Sequence, residues 1–209
     1  AHRKAGMLSE QRREAAQALQ DRIQKELAQL DMPKVRFQVE FSPKNCDEGL
    51  DSTGMDEVQF LMSANVGEAL KPIQKIASGG ELARIMLALK NVLAENDDVT
   101  TLVFDEVDTG VSGRAAQKVA EKMADVARHK QVLCVTHLPQ IAAMADVHFS
   151  VQKGERKGRT FTEVARLDRD ARKAELARLT SGEEITPAAL ASAGELLDGA
   201  LRYKQLRKS

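Results

Sequence analysis

An apolar run, Thr101-Leu102-Val103-Phe104, stops at Asp105-Glu106. Adjacent carboxylates at a strand end point in different directions. One can hold a magnesium ion, which keeps part of its water shell; the other can orient or deprotonate a water. Asp108 and Gly110 then make a tight acidic turn, and from Glu95 to Asp108 there are six acidic residues and no Lys or Arg, a balance that favours a cation. A second apolar run, Val132-Leu133-Cys134-Val135, leads to His137, a candidate hydrogen-bond donor to a phosphate oxygen. Upstream, Ser78-Gly79-Gly80-Glu81 precedes an apolar helical segment. Its glycines leave backbone N–H groups open to an anion, and the helix dipole adds positive potential. Taken singly, Ser78-Gly79-Gly80-Glu81 is more commonly a capped helix and His137 a structural histidine. A solvated acidic loop explains the carboxylate pair as well as a metal site does. Their order and spacing carry the information.

The elements around these residues follow from hydrophobic period. Leu8, Ala15, Leu19, Ile23, Leu27 and Leu30 recur at three-, four- and seven-residue spacings on an otherwise polar stretch. That pattern predicts a helix over residues 1–31, about 45 Å long, either one leg of a coiled coil or an ordinary packed surface helix. Met32-Pro33 ends it, because proline disfavours helical geometry in the residue before it. Strict alternation over Val35–Phe41 predicts a half-buried strand, and a second strand is expected over 58–64, giving an antiparallel sheet. Leu82, Ile85, Met86, Leu89, Val92 and Leu93, with Leu87 on another face, predict a helix over 78–94 buried on most sides.

Next, a strand at 101–104, a helix N-capped by Ser112 and a strand at 131–136 form a parallel βαβ unit. Its ligands belong beyond the carboxyl ends of the strands, where Asp105, Glu106 and His137 fall. Residues 148–153 and 159–167 read as a hairpin around Gly154-Glu155-Arg156-Lys157-Gly158. Two helices follow, the last starting at Thr186-Pro187.

The 209 residues carry 31 Lys+Arg and 31 Asp+Glu, with 43% hydrophobic residues, as in a folded globular chain. No stretch is apolar enough to span a bilayer, the first 31 residues lack the apolar segment of a signal peptide, and the two cysteines form no C-x-x-C unit. A cytoplasmic setting without membrane contact is therefore expected. The sequence opens on Ala1, so a piece of a longer protein is expected as well. Between Lys153 and Arg178 there are nine Lys/Arg against five Asp/Glu. This excess is consistent with DNA phosphates, or with a solvated surface.

The stretches KPIQKIASGGELARIMLALK (71–90), TTLVFDEVDTGVSGRAAQKVAEKM (100–123) and QVLCVTHLPQIAAMAD (131–146) resemble the RecN family, SMC-like relatives of the ABC-type ATPases acting in DNA repair and recombination. The resemblance runs from about residue 35 to 200. It implies an α/β fold, the C-terminal lobe of an ABC/SMC-type P-loop NTPase head: a parallel βαβ core with helices on both faces. On this reading residues 1–32 are the C-terminal leg of a coiled coil and 33–209 the lobe. It implies ATP and Mg²⁺, with Ser78, Gly79, Gly80 and Glu81 as the signature that meets nucleotide on an opposite head. Asp105 is then the magnesium carboxylate, Glu106 the catalytic base, Asp108 a loop aspartate at the nucleotide, and His137 the switch histidine sensing the terminal phosphate.

One motif of the family is missing: no G-x-x-x-x-G-K-[ST] occurs in these residues. The phosphate loop is expected in an N-terminal half, and the chain alone is expected to turn over no ATP. The implied partners are that half, a second head across ATP, and DNA held through its phosphates, in a nucleoid-associated cytoplasmic setting. An ABC-transporter nucleotide-binding domain would carry its phosphate loop upstream in the same domain. A non-catalytic dimerisation or DNA-clamp module would not need both Asp105 and Glu106.

Overall fold

In the computed structural model, which describes all residues except 47–48, 64–66, 76–78, 95–97, 157–158, 183 and 208–209, the chain divides into two compact units, Ala1–Asp97 and Asp98–Ser209. Ser78, Glu95, Asp97, Lys157 and Gly158, all part of the sequence expectations, lie outside the described residues.

The first unit is built on α1 (His2–Gln29). Its apolar seam is used within the unit: Ile23, Leu27 and Leu30 are fully buried, each contributing about 1.5–3 kcal/mol of hydrophobic stabilisation. The helix stops before Pro33 is reached. Asp31 adopts a left-handed φ of 63°, Met32 N–H donates to the Leu27 carbonyl at 2.9 Å and Asp31 N–H to Ala28 at 3.3 Å, a Schellman-type end. Aspartate tolerates that conformation better than most residues.

Strands β1 (Arg36–Pro43), β2 (Asp56–Ser63) and the short β3 (Lys71–Pro72) form an antiparallel sheet in that order. β1 is an edge strand, and α1 covers it with glutamines: Val39 N–H donates to Gln20 Oε1 at 2.6 Å, and Gln24 donates to the Val35 carbonyl at 2.7 Å. Satisfying edge groups this way blocks pairing with another strand. Farther up α1, Ser9 donates to the buried Asp56 carboxylate at 2.8 Å, with Arg12 and Arg13 at 3.7 and 3.8 Å compensating its charge. Helix α2 (Gly79–Leu93) lies against α1, joined by Asn91 donating to Glu26 at 2.6 Å and Arg22 to the Val92 carbonyl at 3.1 Å. Leu87, expected on a separate face, is fully buried, whereas Met86 is exposed.

The second unit holds the parallel pair β4 (Thr101–Phe104) and β5 (Gln131–Cys134), connected through α3 (Gly113–Val126). Ser112 occupies the N-cap position with extended backbone, but its side chain makes no capping bond. One face of the pair is buried through Leu102 and Phe104. The other carries Val103, Leu133 and Val135, exposed at 68%, 51% and 64%. Parallel sheets are covered on both faces in stable folds; within this unit the described residues cover the pair on one face.

A short α4 (Pro139–Met144), unforeseen in the sequence, follows β5. The hairpin β6 (Phe149–Arg156) and β7 (Arg159–Arg166) pairs as expected, and Phe161 lies over Gly154, where an added Cβ would meet its ring at 2.5 Å. Helices α5 (Arg169–Ser181) and α6 (Pro187–Leu206) close the unit on a small core of Ala142, Ala143, Leu176, Ala177, Ala189 and Ala193. Thr186 caps α6 by accepting from Ala189 N–H, as Thr-Pro at a helix start predicts.

Candidate active site at the ends of two parallel strands

Strands β4 and β5 run side by side in register, Phe104 opposite Cys134, so both chains leave the sheet at the same end. Val135 N–H donates to the Phe104 carbonyl at 3.0 Å and extends the ladder one step beyond the strands. Past that bond the two loops carry Asp105-Glu106 and Thr136-His137. The parallel arrangement thereby brings Asp105, Glu106, Asp108 and His137 to one sheet edge.

The loop after β4 is shaped by its backbone. Glu106 has a φ of 57°, the left-handed region, which costs a residue with a Cβ roughly 1–2 kcal/mol. Its N–H is held by the Asp105 carboxylate at 2.9 Å, and its carbonyl accepts from Thr109 N–H at 3.1 Å. Val107 is fully buried and anchors the turn; Gly110, φ 75°, supplies the second left-handed step. Asp105 and Glu106 are thus both exposed, on either side of a sharp backbone reversal. Strain of this kind persists where surrounding structure enforces it, as at ligand and catalytic sites.

Asp108 lies differently. It is 3% exposed, and its Oδ2 accepts from Thr136 Oγ1–H at 2.6 Å and from the His137 backbone N–H at 2.9 Å, with His137 Nδ1 at 3.1 Å. The His137 side chain is itself 72% exposed. Thr136 had no place among the sequence-derived candidates, because a threonine before a histidine looks like the last residue of a strand. Only the contact with a carboxylate 28 positions earlier reveals it. Beneath the site, Cys134 has its thiol pushed up to about 12, by burial first and then by the charges of Asp108 and Asp105.

At the signature stretch, Gly79 and Gly80 open α2 with Glu81 in its first turn, in the first unit; Ser78 lies outside the described residues. Arg84, one turn on, is buried, which lowers its pKa while Glu81 opposes the shift.

Among the described residues no group of three His, Cys, Asp or Glu side chains is arranged to hold a metal by itself. An exposed Asp105 fits a magnesium ion that keeps most of its waters and takes one protein carboxylate. No helix is long and apolar enough to cross a membrane among the described residues.

No family model matches the chain. It is 44% identical to the DNA repair protein RecN of Bacillus subtilis, over 96% of this chain and 37% of that protein. It is 45% identical to RecN of Halalkalibacterium halodurans, over 92% and 34%, and 42% identical to RecN of Treponema pallidum, over 95% and 35%. The chain therefore spans about a third of the length of these curated relatives. Among solved structures it is similar to the Smc head domain with a coiled coil and joint from Pyrococcus yayanosii: TM-score 0.55, 21% identity, 79% of this chain and 29% of that one. It is also similar to the Smc head with an extended coiled coil from Pyrococcus furiosus, at TM-score 0.50 and 20% identity, over 78% and 38%. These structural likenesses establish an SMC-head fold.

Proposed function

We propose, from the premise that the chain is RecN-like, that it is the C-terminal half of an ATP-binding and ATP-hydrolysing head acting in DNA double-strand break repair and recombination. The observation that carries the reading is the gathering of Asp105, Glu106 and His137 at the carboxyl ends of two adjacent parallel strands, where α/β sheets bind ligands.

In this reading Asp105 would hold a magnesium ion, which would supply charge neutralisation at the phosphates. Glu106, thrust outward by its left-handed backbone, orients the attacking water and accepts its proton. His137 presents its outer ring nitrogen to the terminal phosphate. Ser78, Gly79, Gly80 and Glu81 offer the start of α2 to the nucleotide of an opposite head. The phosphate loop comes from an N-terminal half of the same protein. The uncovered apolar face of Val103, Leu133 and Val135 supports such a partner, since a parallel sheet needs cover on both sides. Helix α1 is then the returning leg of a coiled coil. DNA is held through phosphates, with a steep dependence on salt, in the cytoplasm at the nucleoid.

The test is Glu106→Gln in the complete protein. The amide keeps the shape and loses the base, so the variant should bind ATP, hydrolyse it 10²-fold or more slowly, on the scale of general base catalysis, and accumulate as an ATP-bound head dimer. Normal turnover by that variant would remove Glu106 from the mechanism.

A further inference from the structure

We infer that Asp108 and Thr136 act as a pair of positioning residues that fix the His137 ring, with its Nδ1–H on the Asp108 carboxylate and its Nε2 turned outward. Three groups of the loop after β5 converge on a single oxygen of the loop after β4: Thr136 Oγ1–H at 2.6 Å, His137 N–H at 2.9 Å and His137 Nδ1 at 3.1 Å, all on Asp108 Oδ2. The threonine hydroxyl has no freedom left to reverse. Its proton goes to Asp108, and its oxygen accepts from Leu138 N–H at 3.1 Å, at the residue that caps α4.

A carboxylate is an acceptor alone, so a neutral His137 in this place must carry its proton on Nδ1. Which nitrogen of an imidazole is protonated is set by the bond the other one makes. Nε2 is then a bare acceptor on the exposed side of the ring. Asp108 holds the ring from inside its own chain, at 3% exposure, with its carboxylate directed to Thr136 and His137. The use of Nε2 toward a phosphate rests on the function proposed above; the orientation of the ring does not.

The experiment is imidazole ¹⁵N NMR at pH 8 on this chain, with exposed His2 as the internal solvent reference. His137 should show protonated Nδ1 and unprotonated Nε2, clearly displaced from the tautomer balance of His2. Thr136→Ser should keep that signature. Thr136→Val and Asp108→Ala should move His137 toward the His2 values, and if Asp108→Ala fails to fold, the near-isosteric Thr136→Val decides. A wild-type His137 indistinguishable from His2, or one unmoved by either variant, would overturn the inference. Should the complete protein hydrolyse no ATP while His137 keeps its signature, the catalytic reading fails and the positioning pair stands.

Discussion

Replacing Glu106 by glycine should make the chain more stable while removing the proposed base. The residue sits at φ 57°, where the Cβ crowds the following carbonyl at a cost of roughly 1–2 kcal/mol. Glycine removes that cost but loses about 0.5–1 kcal/mol to the greater freedom of the unfolded chain. The exposed carboxylate contributes little packing, and the two local bonds, to Asp105 and from Thr109, use backbone atoms that glycine retains. The net gain is about 0.5–1 kcal/mol, or about 2–4 °C in melting temperature at roughly 4 °C per kcal/mol. Calorimetry and urea titration of wild type, Glu106→Gly and Glu106→Ala read this directly. Alanine keeps the Cβ and so the strain, and should melt with the wild type. If glycine proves no more stable than alanine, strain is not stored at this residue, and its outward projection needs another cause.

Other consequences are open to simple measurements. At pH 8 a thiol reagent should label exposed Cys46 quickly and half-buried Cys134, its thiol pushed up to about 12, much more slowly; equal labelling rates at the two thiols would contradict the partial burial of Cys134. His148 has its pKa lowered from 6.5 by burial first and then by the Arg172 charge, with Glu175 opposing. The unfolded chain therefore takes up that proton before the folded one, and stability should fall as pH drops below 6.5. His148→Gln should flatten that part of the melting-temperature profile between pH 7.5 and 5, and an unchanged slope would assign it elsewhere. Leu27→Ala, at a fully buried site, should cost about 2–5 kcal/mol in urea unfolding, and a loss under 1 kcal/mol would mean that α1 is not held by its seam.

The elements were largely legible because their periods were clean. Alternation marked β1, the apolar runs marked β4 and β5, and Thr186-Pro187 marked the start of α6. The same spacing placed Asp105, Glu106 and His137 at strand ends. What sequence could not carry were facts of three dimensions. Helix α1 ends by a left-handed Asp31 instead of waiting for Pro33, because a backbone motif satisfied its last carbonyls first. Ser112 marks a helix start but caps it with its backbone carbonyl and not with its side chain. Helix α2 buries Ile85, Leu89 and Val92 as expected, but it exposes Met86 and buries Leu87, an exchange that the spacing alone did not decide. Thr136 gave no signal because its partner is 28 residues away and the contact depends on the parallel register.

The central claim is that this chain supplies half of a hydrolytic nucleotide site. Steady-state ATP hydrolysis tests it most directly, comparing the chain alone, the chain co-expressed with the N-terminal half of a RecN protein carrying the phosphate loop, and that pair with Glu106→Gln. The account predicts no turnover from the chain alone, turnover from the pair, and loss of that turnover in the variant with ATP still bound. Hydrolysis by the chain alone, or equal rates from the pair and its Glu106→Gln form, would contradict it.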